Sequence, residues 1–191
     1  MVTIPSSSWK GDMQNKAEDL WKKDIYEKFK TIFLDGRVLE IGAGLSHSRP
    51  FFPGTKEYLG LDVVPSVGVN IISIAHEYKE PDGSFDVVCS FSSLEHDMYW
   101  KKTLVKMVEL TRYGGLVLFS CCFNWKEHGT KRTSPEQSYN TQISEEWANY
   151  YENRNADDIK KVWNVDKIFS EYYLGLNPYD DGLLCFWGIK K

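Results

Sequence analysis

Val38-Leu39-Glu40-Ile41-Gly42-Ala43-Gly44 runs a short apolar strand straight into a turn with two glycines, and Asp62 closes the next apolar run, Tyr58 to Leu61. Glycine lets a ligand approach the backbone where a Cβ would clash. An acidic side chain at the tip of the second strand can accept both hydroxyls of a ribose. In an open α/β sheet, ligands sit in the crevice at the carboxyl ends of the strands, so both features face the same place. A dinucleotide fingerprint asks for a third glycine at position 47, where His47 stands, and no Gly-rich P-loop ending in Lys-Ser or Lys-Thr exists for a nucleoside triphosphate. A nicotinamide-dependent oxidoreductase is therefore the weaker reading.

Outward from this motif the texture repeats. Val69 to Ile74, Phe85 to Cys89 and Leu116 to Cys122 are short apolar runs ending in turns. They read as buried parallel strands, because burial on both faces gives continuous apolar sequence rather than alternation. Met98 to Thr111 carries Leu104, Val105, Met107, Val108 and Leu110 on a helical face, with Gly114-Gly115 after its end. Upstream, Leu20, Trp21, Ile25, Phe29, Ile32 and Phe33 form the stripe of an amphipathic N-terminal helix within residues 14–35. Alternating strand and helix implies an open α/β sheet. Val63 to Gly68 is short for a crossover between parallel strands, so a helix must be lost or reduced there. Beyond Cys122 the chain is polar to Asn140, then helical in pattern over Ser144 to Asn153 and Ala156 to Trp163. Ile168 to Leu174 and Leu183 to Ile189, joined through Asn177-Pro178 and Asp181-Gly182, read as a closing antiparallel hairpin.

The 191 residues suit one domain, 1–191, and a hydrophobic share of 42% with 15% aromatics excludes a disordered chain. Lys and Arg number 23 against 27 Asp and Glu, a net charge of −4 without a basic block, which disfavours nucleic acid as a partner. Met1 to Lys10 lacks the apolar core of a signal peptide, and the longest apolar stretch, Gly115 to Phe123, is about half of what a membrane helix needs. A cytoplasmic protein without membrane association is expected. Cys89, Cys121, Cys122 and Cys185 lie in apolar runs without a CxxC pair, which suits reduced core residues rather than a disulfide frame or a zinc site.

Five segments in order carry a more specific signal: Val38 to Gly44, Leu59-Gly60-Leu61-Asp62, Pro81 to Val88, Ser93-Leu94-Glu95-His96 and Gly114 to Leu118. Together they resemble the motifs of class I S-adenosylmethionine-dependent methyltransferases, in particular the type 11 group, over about Val38 to Cys122. The resemblance implies a Rossmann-like, open twisted sheet of seven strands, mostly parallel with an antiparallel C-terminal hairpin strand and helices on both faces. Residues 37–122 become the cofactor-binding half and 123–191 a variable acceptor-side region with the closing hairpin. S-adenosylmethionine is the implied cofactor, with Glu40, Gly42, Ala43 and Gly44 against its methionine part and Asp62 on its ribose hydroxyls. Val63 would pack near the adenine, and Ile74 and Ala75 stand where relatives often place an acidic residue for the adenine amino group. Ser90 and Phe91 would lie beside the transferable methyl. Ser46, where many relatives have a third glycine, and Ile74 are departures from the pattern.

Methyl transfer from a sulfonium is an in-line displacement with a good leaving group, so the protein mostly supplies alignment, which contributes roughly 7–11 kcal/mol. A base is needed only where the acceptor must lose a proton. His96 and His128 are the candidates, an imidazole having an unperturbed pKa of ~6.5. Blander roles stand beside these. Glu95-His96 also suits a hydrogen-bonded loop, His128 a solvated one, Gly42 and Gly44 a tight turn, and Asp62 a helix cap. Trp147, Tyr150, Tyr151 and Trp163 fit either an acceptor pocket or packing, and Lys131 with Arg132 either anion recognition or a solvated pair. No Asp-Pro-Pro-Tyr or Asn-Pro-Pro-Tyr follows the fourth strand, where Ser90-Phe91-Ser92-Ser93 stands, so the amide clamp of base-flipping enzymes is missing. A small-molecule acceptor covered by Asn124 to Asn155 is the expectation. The alternative is a catalytically inactive methyltransferase-like binding or scaffold module, motivated by Ser46, Ile74 and the shortened link.

Overall fold

Residue parity along the central strands builds two cores. In the computed structural model, which describes residues 25–46, 48–135 and 143–191, Val38, Val87, Cys89, Leu116 and Leu118 face one side of the sheet. Leu39, Ile41, Val88, Val117 and Phe119 face the other. Adjacent strand residues point to opposite faces, and only a sheet covered on both sides wants both sets apolar.

The strands are β1 (Arg37–Ile41), β2 (Glu57–Asp62), β3 (Ile71–Ile72), β4 (Phe85–Phe91), β5 (Thr111–Cys122), β6 (Phe169–Asn177) and β7 (Asp180–Lys190). They form one seven-stranded sheet in the order β3-β2-β1-β4-β5-β7-β6. The first five strands are parallel to one another, and β7 pairs antiparallel with both β5 and β6. The order reverses beside β1 and β4, which places a crevice at their carboxyl ends.

Helix α1 (Tyr26–Phe33) covers the first side through Phe29 and Phe33. Burial of each ring contributes roughly 1.5–3 kcal/mol. On the other side, α2 (Trp100–Leu110) packs Leu104, Met107 and Leu110 on the sheet. The short helices α3 (Glu145–Ala148), α4 (Ala156–Val162) and α5 (Val165–Ile168) follow, α4 starting at an Asn155 capping box.

Several boundaries differ from the sequence reading, each for a physical reason. The N-terminal helix is described only from Tyr26, and its expected residues 14–24 lie outside the described residues, as does His47. The strand expected over Val69 to Ile74 shrinks to two residues, because Asn70 takes the next ladder position with its side chain: Gly60 N–H donates to Asn70 Oδ1 at 2.9 Å. The link from Asp62 to Ile71 indeed holds no helix. Between β1 and β2 the crossover is also reduced, to a 3-10 turn at Arg49–Phe51 that buries Phe51 with Phe52 in place of a helix. The helix expected over Ser144 to Asn153 stops at Ala148, and the closing hairpin turns more tightly than expected, Asn177 pairing with Asp180.

Candidate cofactor site at the carboxyl ends of the strands

β1 ends by handing its backbone to β2: the N–H groups of Gly42 and Ala43 both donate to the Leu61 carbonyl, at 2.8 and 3.1 Å. The chain can then turn only with positive φ, 73° at Gly42 and 47° at Gly44. Their surroundings differ. A Cβ on Gly42 would lie 1.9 Å from Ser93 Oγ, in the loop after β4, whereas one on Gly44 would meet nothing within 4 Å. Gly42 is thus demanded by protein packing, and Gly44 faces open space. Ser46 keeps the left-handed backbone, φ 54°, at the position where the family pattern has its third glycine.

Asp62 closes the loop. Its Oδ2 accepts from Gly44 N–H at 2.9 Å and its Oδ1 from Val63 N–H at 2.7 Å. Burial pushes its pKa above the usual carboxylate value, opposed by the backbone N–H groups of Gly44, Val63 and Val64. A carboxylate offers about four lone-pair sites, more than these N–H groups fill, so capacity remains for an outside hydroxyl.

Glu40 sits one strand away and nearly fully buried. It accepts from Tyr58 OH at 2.7 Å, from Ser46 Oγ at 3.3 Å and from Ser48 Oγ. Desolvation raises its pKa to about 7, the three hydroxyl donors pulling the other way and the Asp62 charge adding to the rise. The loop therefore brings Glu40, Gly42, Ala43, Gly44 and Asp62 to one place. Val63 and Ile74 are half-buried at its margin, while Ala75 is packed into the α2-side core. At the end of β4, Ser90 is buried with its hydroxyl unpartnered, and Phe91 meets Phe51 edge-on at 5.9 Å.

His96 and His128 come together on the adjacent loops, ring centroids 5.1 Å apart, and Tyr151 packs against both at 5.3 and 5.0 Å. Burial lowers the His96 pKa, so its imidazole is held neutral; the nearby Glu95 charge opposes this and His128 adds to it. Trp147 donates its indole N–H to the His96 carbonyl at 2.8 Å. Trp163, by contrast, is core, meeting Phe119, Phe169 and Phe186 at tilted or edge-on angles. Lys131 and Arg132 form surface ion pairs with Glu145 and Glu127. Two participants escape the sequence: Ser48 and Tyr58, both hydroxyl donors to Glu40. Only Tyr58, an aromatic at the start of an otherwise aliphatic run, carried a hint.

All four cysteines are buried thiols outside any disulfide, and among the described residues no helix is long and apolar enough to cross a membrane.

No family model matches the chain, and no curated protein matches it. Solved structures do. The YcgJ protein of Bacillus subtilis is 13% identical with a TM-score of 0.62, covering 93% of this chain and 99% of its own. The Burkholderia thailandensis 1,6-didemethyltoxoflavin-N1-methyltransferase, solved with S-adenosylhomocysteine and its acceptor, is 12% identical with a TM-score of 0.55, covering 100% of this chain and 93% of its own. A Thermotoga maritima S-adenosylmethionine-dependent methyltransferase is 14% identical with a TM-score of 0.53, covering 93% and 96%. The chain has the class I methyltransferase fold.

Proposed function

We propose that this protein transfers the methyl group of S-adenosylmethionine to a small-molecule acceptor, as a type 11-like enzyme of the cytoplasm. The observation that carries the reading is the Gly42–Gly44 turn closed by Asp62, with open space over Gly44. The residues present fit the cofactor, which when bound supplies an electrophilic methyl on a sulfonium. Asp62, held by two backbone N–H groups, keeps lone pairs for the ribose hydroxyls. Glu40, titrating near 7, is poised to ionise against the ammonium of the methionine part. Neutral His96 can accept a proton from an acceptor hydroxyl or amine, with His128 and Tyr151 fixing its ring. The net charge of −4 and the missing amide clamp support a small molecule over nucleic acid.

The test is incubation with S-adenosylmethionine and metabolite pools, read by mass spectrometry. A metabolite gaining one methyl group in step with S-adenosylhomocysteine release is the expected result. Cofactor binding without turnover on any pool would instead support a non-catalytic binding module. That second reading is favoured by one observation, the reduction of the crossovers flanking the site, β1 to β2 and β2 to β3, to a 3-10 turn and a loop.

A further inference from the structure

Glu95, Cys122 and His128 form a cluster that the cofactor site does not use as a unit. They come from the loop after β4, the last residue of β5 and the loop beyond it, and one ligand atom from each lies within 4.8 Å of the others. The Cys122 thiol and Glu95 Oε1 are 3.0 Å apart. A tetrahedral site with bonds of ~2.0–2.3 Å holds its donor atoms about 3.3–3.6 Å apart, so the cluster closes on an ion with shifts of about an ångström.

Two further observations point to a ligand. Glu95 is fully buried, yet its Oε2 has no hydrogen-bond partner. A buried acceptor left without a donor is costly, and more so when it is charged. His128 is also oriented: its Nδ1 lies 3.0 Å from the Lys126 carbonyl, which leaves Nε2 as the lone-pair nitrogen. Ligating imidazoles characteristically give their other N–H to a carbonyl or carboxylate in this way. Chain spacing concealed the cluster, since three separate segments supply its donors.

We propose that Glu95, Cys122 and His128 bind one divalent cation of the zinc type, with a fourth coordination position open. Thiolate, imidazole and carboxylate together suit zinc rather than magnesium or calcium, and three protein donors leave room for water or substrate. The open position takes a heteroatom of the acceptor, a clause that rests on the methyl-transfer reading; the binding itself stands without it.

The test uses the full chain, stripped with a chelator and titrated with Co²⁺ and Zn²⁺, folding of every variant being checked by circular dichroism. Co²⁺ is expected to give the visible bands of a tetrahedral ion together with a thiolate-to-metal charge-transfer band. His128→Ala and Cys122→Ser each weaken Zn²⁺ binding on the order of tenfold or more. Glu95→Gln, which keeps the side-chain shape in the buried position, does the same. A Co²⁺ spectrum without the charge-transfer band, or equal Zn²⁺ affinity in wild type and variants, overturns the proposal. S-adenosylhomocysteine binding on the same samples separates the two readings. Cation binding without it overturns methyl transfer and sustains the cation site, whereas the reverse result removes the cation site alone.

Discussion

Gly42 and Gly44 stand two residues apart and answer to different demands. Both have positive φ, which costs an L-residue roughly 1–2 kcal/mol. At Gly42 a methyl group would also displace Ser93, so Gly42→Ala should lower stability by more than that strain and loosen the loop after β4. At Gly44 nothing stands in the way, and Gly44→Ala should cost that backbone strain alone, roughly 1–2 kcal/mol in urea unfolding, yet weaken cofactor binding on the order of tenfold or more. Equal losses of both properties in the two variants would contradict this division. Glu40 carries a pH signature. Its folded pKa, about 7, lies above the unfolded value near 4.5, so the native state alone holds the proton between them. Its contribution to stability is therefore greatest below the lower value and falls as pH rises through the window, by about 3 kcal/mol in all. Denaturation curves between about pH 4 and about pH 8 should show this decline in wild type and a smaller one in Glu40→Gln, the remainder coming from raised groups such as Asp62.

At the level of elements, what could be read from the chain was what is decided locally. The runs from Val38, Tyr58, Phe85 and Leu116 became β1, β2, β4 and β5 because both-sided burial demands uninterrupted apolar residues. The helix pattern over Met98 to Thr111 became α2 for the same kind of reason, a periodic face on one core. Long-range partners decided the exceptions. Trp147, Tyr150 and Tyr151 sit at helical spacing, yet past Ala148 the chain is an extended strap: Glu152 N–H donates to the Glu95 carbonyl at 2.9 Å and Arg154 N–H to that of Cys122 at 2.7 Å. Arg154 anchors it, almost fully buried over the Trp100 ring at 4.4 Å, bonded to Tyr150 OH at 2.6 Å and paired with Glu152 at 2.5 Å. No periodicity encodes such a tether. Arg154→Ala should cost about 2 kcal/mol in unfolding and detach the strap, seen as raised amide exchange at Glu152 and Arg154. Unchanged exchange there would contradict the anchoring role.

Across the whole molecule the two halves differ in how far the sequence exposed them. The turn after β1 was legible because its requirements are local: left-handed glycines and a strand-end carboxylate. The proposed acceptor side draws on His96, His128 and Tyr151, which meet only through the fold, and residues 136–142 of the expected cover lie outside the described residues. The mild net charge and the aromatic share gain meaning in this light. The charge fits the small acceptor proposed, while the aromatics divide between core, as Trp163 does, and the rings packed around His96. The central claim is that the Gly42–Gly44 turn and Asp62 form a site for S-adenosylmethionine. Calorimetric titration of wild type and Asp62→Ala with S-adenosylhomocysteine tests it most directly. Saturable one-to-one binding by wild type, weakened on the order of tenfold or more in the variant, is the result predicted. Absence of binding by the folded wild type, or equal binding by both, would contradict it.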